Sequence, residues 1–298
     1  MADTDQVSGG LDHQIGQAGV SKGLMATTTI PNFTLPPELS RLNLSRVVKN
    51  NDRRLIVVSR AHDKCGKTHF ACMAPDPVFY AGTEQGDEGV VDKIAEKYNR
   101  VIIKKDFIVP PNRKDKGLYE KVWDDFANTW VKVCDSGKFK TVVLDNAGDL
   151  WELIRMARFG KLTQVRPEQY APVTAEFEEL MNYPKQIRGL NAIYLHKLKK
   201  EYVKAKGTSN DRGDWNGSYV PRGCESMAYL AQVNIEHFRY LRNDNRRGFG
   251  IRVINSRVSG DCDGLELTDD QDGMGIDMCN FAGLAMALYP GTVEGDWA

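Results

Sequence analysis

Short apolar runs alternate with stretches of helical period through the middle of this chain, the pattern of a mostly parallel sheet flanked by helices. RLIVVS (54–59), PVFYAG (77–82), RVIIKK (100–105), TVVLDN (141–146) and NAIYLH (191–196) are the candidate strands. Between them, 117–134 places Leu118, Val122, Phe126, Trp130 and Val133 three or four residues apart, which predicts an amphipathic helix. Residues 174–190 repeat that spacing through Phe177, Leu180, Met181 and Ile187. Further on, YLAQVNIEHFRYLRN and RRGFGIRVINSR predict a hairpin around Asn-Asp-Asn-Arg-Arg-Gly that adds antiparallel strands at one sheet edge. The expected class is α/β, without internal repeats.

The flanks differ from this middle. Residues 1–29 are rich in Gly, Ser, Thr, Asp and Gln, with too little apolar surface to offset the entropy of ordering, and predict a flexible arm. From Ile30 to Arg54 the anchors Phe33, Leu35, Leu42 and Leu44 suit packing on the core or on a neighbouring subunit. The main domain is expected over 30–260, followed by an acidic tail over 261–298 in which NFAGLAMALYP forms a short helix. No Lys or Arg follows Arg257, and that tail suits competition with nucleic acid, partner binding or solubility.

Composition narrows the classes. With 298 residues and 41% hydrophobic content the chain can bury a sizeable core, and no apolar run is long enough to cross a membrane. MADTDQVSGG lacks the basic and apolar regions of an export signal, so a cytoplasmic location is expected. Cys65, Cys72, Cys134, Cys224, Cys262 and Cys279 are scattered without CxxC spacing, which points to reduced thiols instead of zinc or a disulfide framework. Lys+Arg and Asp+Glu both number 40, so any attraction to a polyanion must come from local patches.

One such place follows the first strand, where LIVVSRAHDKCGKTHFA sets a polar turn and Gly66-Lys67-Thr68 at a helix start. This is the context of a phosphate-binding P-loop: backbone N–H groups of Ala61, His62, Asp63, Lys64, Cys65, Gly66, Lys67, Thr68 and His69 surround phosphate, Lys67 meets the terminal oxygens, and Thr68 ligates Mg2+. Ala61 stands where the pattern has its first glycine, and a positive φ there would be strained. TVVLD ends its strand on Asp145, at the sheet edge where α/β folds bind ligands; the aspartate suits the far side of the metal, or a helix N-cap before AGDLWELIRM. Asn146 follows instead of a glutamate, so a base must come from elsewhere: Glu84 after PVFYAG is the first candidate, with Asp87 and Glu88 as rivals. His196, ending NAIYLH, suits a sensor of the terminal phosphate or a satisfied histidine at a strand end.

Taken in order, RLIVVSRAHDKCGKTHFA, PVFYAGTEQGDEG, TVVLDNAGDLWE, GLNAIYLHKLKKEY and FGIRVINSR resemble the RecA-like P-loop ATPases, and most of all the small phage-encoded RecA/RadA-type recombination ATPases, over residues 52–260. The resemblance implies ATP and Mg2+ as cofactors, Lys67 and Thr68 on phosphates and metal, Glu84 as catalytic glutamate, Asp145 as metal-binding aspartate and His196 as switch residue. It also implies that Arg257 reaches nucleotide on the next subunit, although INSRVSG stands where the family has Lys-Asn-Arg-Phe-Gly.

Two basic segments follow strands whose succeeding loops line the DNA axis in that family. KLKKEYVKAKGTSNDRGDWNGSYVPRG is expected to be a long loop carrying Lys197, Lys199, Lys200, Lys204, Lys206 and Arg212 among Tyr202, Trp215 and Tyr219, cations for phosphate and rings for base stacking. The second, RMARFGKLTQVRPEQ (155–169), contributes Arg155, Arg158, Lys161 and Arg166. The expected function is an ATPase that assembles as ring or filament on single-stranded DNA, alone or with a single-strand-binding or annealing protein, in recombination. A helicase-loader-like or packaging accessory ATPase, and an assembly protein with weak hydrolysis, are the alternatives.

Overall fold

The five apolar runs become neighbouring strands of one sheet: β1 (Ile56–Ala61), β2 (Val78–Gly82), β3 (Ile102–Asp106), β4 (Thr141–Asp145) and β5 (Asn191–Val203). The computed structural model describes residues 54–84, 89–108, 115–160, 165–203 and 214–297. The arm expected over 1–29 and the anchors at 33–44 lie outside them. With β7 (Val233–Leu241), β8 (Arg247–Ser256) and β9 (Glu266–Thr268) the order is β3-β2-β4-β5-β1-β7-β8-β9. All pairings from β3 through β7 are parallel, so six strands present their C-terminal ends at one edge. This is an α/β architecture, a mostly parallel sheet with antiparallel strands toward its C-terminal end.

Both faces of the sheet are buried, which is why these strands read as runs of apolar residues instead of alternating ones. Ile56, Val58, Phe79, Ala81, Val142, Leu144, Ala192 and Tyr194 face one helical layer. Leu55, Val57, Val78, Tyr80, Val143, Ile193 and Leu195 face the other. The first layer is made by α3 (Lys116–Asp135), α4 (Ala147–Phe159), α5 (Pro167–Asn182) and the short α6 (Met227–Leu230). The second holds α1 (Lys67–Cys72), α2 (Val90–Tyr98) and α7 (Phe281–Leu288). The short helix expected in the acidic segment is α7, and its Phe281, Leu284, Ala285 and Leu288 are buried.

Helix α3 buries Tyr119, Trp123, Phe126, Trp130 and Cys134, a stripe turned about one residue from the expected one, and Leu118 is exposed. The aromatic side chains carry the larger apolar area and set the face. Asp115 caps the helix, accepting from the Leu118 amide at 3.1 Å. The helix expected at 174–190 instead begins at Pro167 and yields to a 3-10 turn at Tyr183–Gln186, since proline at a first helical position costs no hydrogen bond.

The expected hairpin is present: β7 joins the sheet parallel to β1, with Val57 opposite Val233, and β8 and then β9 follow antiparallel. Gln232 fixes this start by accepting from and donating to the Ile56 backbone, both at 2.9 Å. One further expectation is corrected. The segment expected as a long loop after His196 is largely strand: β5 continues to Val203 and pairs antiparallel with β6 (Asp214–Pro221). Lys204, Lys206 and Arg212 fall outside the described residues. Among the described residues no helix is long and apolar enough to cross a membrane.

Candidate nucleotide site

β1 ends on the buried Ala61, and the chain turns over residues 62–66 before α1. The left-handed positions are Lys64 (φ 60°) and Gly66 (φ 94°); Ala61 is ordinary strand backbone, so the strain anticipated for it does not arise. Strain falls on Lys64, where a left-handed non-glycine costs on the order of 1–3 kcal/mol. Arg239 of β7 holds that residue, donating from Nε to its carbonyl at 2.9 Å. Across this turn Lys67 folds back, Nζ donating to the carbonyls of Ala61 (3.3 Å) and His62 (3.1 Å). Burial pushes its ammonium down, opposed by the charges of Asp145 and Asp63.

Asp145 arrives at the same point on β4. Its Oδ2 accepts from Thr68 Oγ1 at 3.4 Å and from the Tyr80 hydroxyl. A hydroxyl and a carboxylate this close, beside a lysine and a phosphate-binding turn, form the hard oxygen set that suits Mg2+. Asp145 is therefore not the helix cap. Asn146 is, its Oδ1 accepting from the Asp149 amide at 2.8 Å, and a cis peptide joins Asp145 to Asn146.

Glu84 sits two residues beyond β2, anchored through Thr83, whose amide donates to the Asp145 carbonyl at 2.7 Å. One Glu84 oxygen accepts from Asn146 Nδ2 and the other from Lys197 Nζ. Asp149, on the first turn of α4, accepts from Asn146 Nδ2 at 2.9 Å and lies 3.4 Å from Arg222. Burial, then the hydrogen bond and charge of Glu84, push the Asp149 carboxyl up to about 7. Glu84 moves down: burial would raise it, and the bonds to Asp149 and Lys197 outweigh that. Glu84 is therefore the first of the pair to ionise, and Asp149 keeps its proton as pH rises toward about 7. Asp87 and Glu88 lie outside the described residues.

A cavity of about 320 Å3 is bounded by Asp63, Lys64, Lys67, Thr68, Glu84, Asp145 and Lys197. A larger one, about 870 Å3, opens beneath β5 and β6 on the other face of the sheet. It contains none of the P-loop residues, and the smaller cavity is the one that gathers a cation, hydroxyl and carboxylates around one space.

His196 is not in that space. Strand alternation turns it to the opposite face, where it is fully buried with Nδ1 3.0 Å from the Arg222 carbonyl, and burial holds it down at about 4. Its neighbour Lys197, expected among the DNA contacts, faces the phosphate cavity instead. Arg257 is exposed beside Lys185 and Arg54, at the N-terminal ends of the parallel strands and away from this chain's own phosphate cavity. Arg155 and Arg158 lie on α4, not on a loop; Arg155 donates to the Tyr170 hydroxyl at 2.7 Å and Arg158 from Nε to Glu176 at 2.9 Å. Lys161 falls outside the described residues, and Arg166 is exposed just before α5. On β5, Lys199 and Lys200 are exposed, the latter 4.8 Å from the centroid of Trp215, which is itself exposed. Tyr219 of β6 meets both Trp215 and the P-loop residue His62 edge-on, at 5.8 and 4.5 Å.

Asn146, Asp149 and Arg222 were missed in the sequence. Asn-Ala-Gly-Asp after the strand carries the cap spacing, but nothing local in the sequence links it to Glu84 or Arg222. A family model described as AAA domain matches residues 53–219, more than half of the chain. No curated protein sequence matches. Solved structures similar to this chain include the crystal structure of the RadB recombinase, at 11% identity and a TM-score of 0.41, covering 72% of this chain and 86% of that one.

Proposed function

This chain belongs to the AAA domain family, and from that premise we propose that it is a Mg2+-dependent ATPase of the RecA-like kind that engages single-stranded DNA in recombination. The observation that carries the ATPase reading is the convergence of Lys67, Thr68, Asp145, Glu84 and Lys197 on one cavity at the C-terminal edge of the parallel strands. Backbone N–H groups of 62–68 and the Lys67 ammonium bind the triphosphate. Thr68 and Asp145 hold Mg2+, which when bound supplies neutralisation of phosphate charge. Glu84, kept anionic by the proton on Asp149 and by Lys197, orients water for attack on the terminal phosphorus and takes its proton. Lys197 stands where a terminal phosphate competes with Glu84 for its ammonium, and so takes the sensing role expected of His196.

The DNA part rests on the β5–β6 arm, where Lys199, Lys200, Tyr202 and Trp215 are exposed together, offering charge to phosphates and rings to bases. Arg155 and Arg158 are engaged within the chain and contribute less. Arg257 remains a candidate only for a site completed by a second copy. The phage-type annealing role and the ring or filament form belong to the same proposal.

ATP turnover with and without single-stranded DNA tests both parts. Glu84→Gln is expected to keep ATP binding and lower turnover by about 10²- to 10⁴-fold, the usual worth of a general base. Absence of DNA binding at low salt would remove the recombination reading. A second reading is favoured by the bonds from Asn146 and Lys197 to Glu84: an assembly protein that binds ATP and hardly hydrolyses it, for which Glu84→Gln would change nothing.

A further inference from the structure

Lys197 is the last residue of β5 opposite β1; beyond it the strand continues as the arm with β6, and the chain returns at Arg222. These two residues meet at the root of the arm, where the Arg222 amide donates to the Lys197 carbonyl at 2.7 Å. Their side chains then part, and each takes one carboxylate of the pair beside the phosphate cavity. Lys197 Nζ lies 2.5 Å from Glu84, and the Arg222 guanidinium lies 3.4 Å from Asp149 and 2.5 Å from Glu152. Resting on the ATPase reading above, we infer that Arg222 is a positioning residue for the catalytic base: through Asp149 and Asn146 it holds Glu84 in place and ties it to the root of the arm.

The Arg222 backbone is fixed from two further directions. His196, fully buried, donates from Nδ1 to its carbonyl at 3.0 Å, which gives a histidine turned away from the phosphates a task. A Cβ on Gly148 would stand 2.6 Å from that same carbonyl oxygen. Glycine at the second position of α4 is therefore what lets the returning chain lie against the helix that carries Asp149 and Glu152. From there the contacts run to the base without a gap. Arg222 approaches Asp149 at Oδ1, which leaves Oδ2 to accept from Asn146 Nδ2 at 2.9 Å. Asn146 Oδ1 accepts from the Asp149 amide at 2.8 Å, so the Asn146 amide group has one orientation, with Nδ2 toward both Asp149 and Glu84. Turning Asp149 away from Asn146 withdraws a partner that holds this amide toward the base.

Charge follows the same geometry. Facing the pair are Lys197 from β5, Arg222 beyond β6 and Glu152 of α4, with Lys67 and Asp145 in the cavity that Glu84 bounds. Burial raises both carboxyls, and the charges of Lys197 and Arg222 draw both down. A side chain that only braced the arm would leave the proton affinity of Glu84 alone; one that positions the base through Asp149 changes it.

Two substitutions separate charge from shape. Arg222→Gln removes the cation, and Arg222→Lys keeps it without the fork that spans Asp149 and Glu152. ATP turnover is measured against pH on the full chain for the wild type, both variants and Glu84→Gln, and the Asp149 carboxyl is titrated by carbon NMR, which needs no turnover. For Arg222→Gln, kcat is expected to fall by up to about 10²-fold with KM for ATP little changed, as a displaced reacting group does. The Asp149 midpoint and the acid limb of kcat should both move to higher pH; Arg222→Lys should return both and recover part of kcat. The inference is overturned if Arg222→Gln leaves midpoint or limb in place, if Arg222→Lys does not return them, or if KM rises while kcat is unchanged. Where Arg222→Gln does not fold, the lysine variant decides alone: a lowered kcat with the limb in place supports the inference, and wild-type kcat overturns it. If the wild type shows no turnover, or Glu84→Gln turns over as fast as the wild type, the ATPase reading falls and this one with it.

Discussion

Asp149→Asn tests the proton shared beside the phosphate cavity. In the folded chain Asp149 is protonated up to about pH 7, against its ordinary 3.8, because it is buried against the Glu84 anion. Asparagine copies the protonated acid: its carbonyl can accept from Asn146 and its N–H can donate to Glu84. A carboxyl raised in the folded state binds its proton more tightly there than in the unfolded chain. Stability therefore declines as pH climbs from the unfolded value near 4 toward 7 and levels off above. Moving the group from 3.8 to about 7 corresponds to about 4 kcal/mol at 1.36 kcal/mol per pH unit. Glu84, displaced the other way, returns part of this, and residual solvent screens the charge, which leaves about 2 kcal/mol. Urea unfolding free energies of the two proteins should nearly coincide at about pH 4 and diverge by about 2 kcal/mol at about pH 8, the variant being the more stable. An offset that is constant with pH, or a wild type that gains on the variant as pH rises, would refute the shared proton.

Three further outcomes are expected. Lys197→Ala removes a charge that lowers the Glu84 carboxyl, so the acid limb of the turnover profile should move to higher pH; a profile that only scales down would assign Lys197 a purely structural part. Gly223 has φ 126° and a Cβ there would stand 2.9 Å from the Gly148 Cα, so Gly223→Ala should cost on the order of 1–3 kcal/mol, read as a lower thermal midpoint. Trp130→Ala opens the centre of the aromatic stripe of α3 and should cost about 3–5 kcal/mol in the same assay, provided the void does not collapse.

How much of this was legible follows from the range of the interactions. Strand β1, Gly66, Lys67, Thr68 and Asp145 announce themselves because each depends on a few adjacent residues: an apolar run, then a turn, then a cap or a carboxylate. That Lys197 and not His196 lines the cavity was not legible, since the expected strand stopped at 196 and alternation past that point decides which side chain faces it. KLKKEYV hides its strand because an arm that leaves the core has no buried face to impose alternation. Arg155 and Arg158 look like loop cations until α5 sets Tyr170 and Glu176 against α4. Asp149 and Arg222 are seventy-three positions apart, and only the fold places them 3.4 Å from one another.

The thirteen residues of β5 have one more consequence. The strand is clamped in the sheet at its start and continues beyond it, with no glycine between Asn191 and Val203 and its register with β6 kept from Leu198 to Lys200 before a shift between Lys200 and Tyr202. At about 3.3 Å per residue, the four positions from Lys197 to Lys200 make a lever of roughly 13 Å whose root is the Lys197 ammonium paired with Glu84. A load on the arm beyond Lys200 meets the register shift first, and one on the lever itself reaches that ion pair.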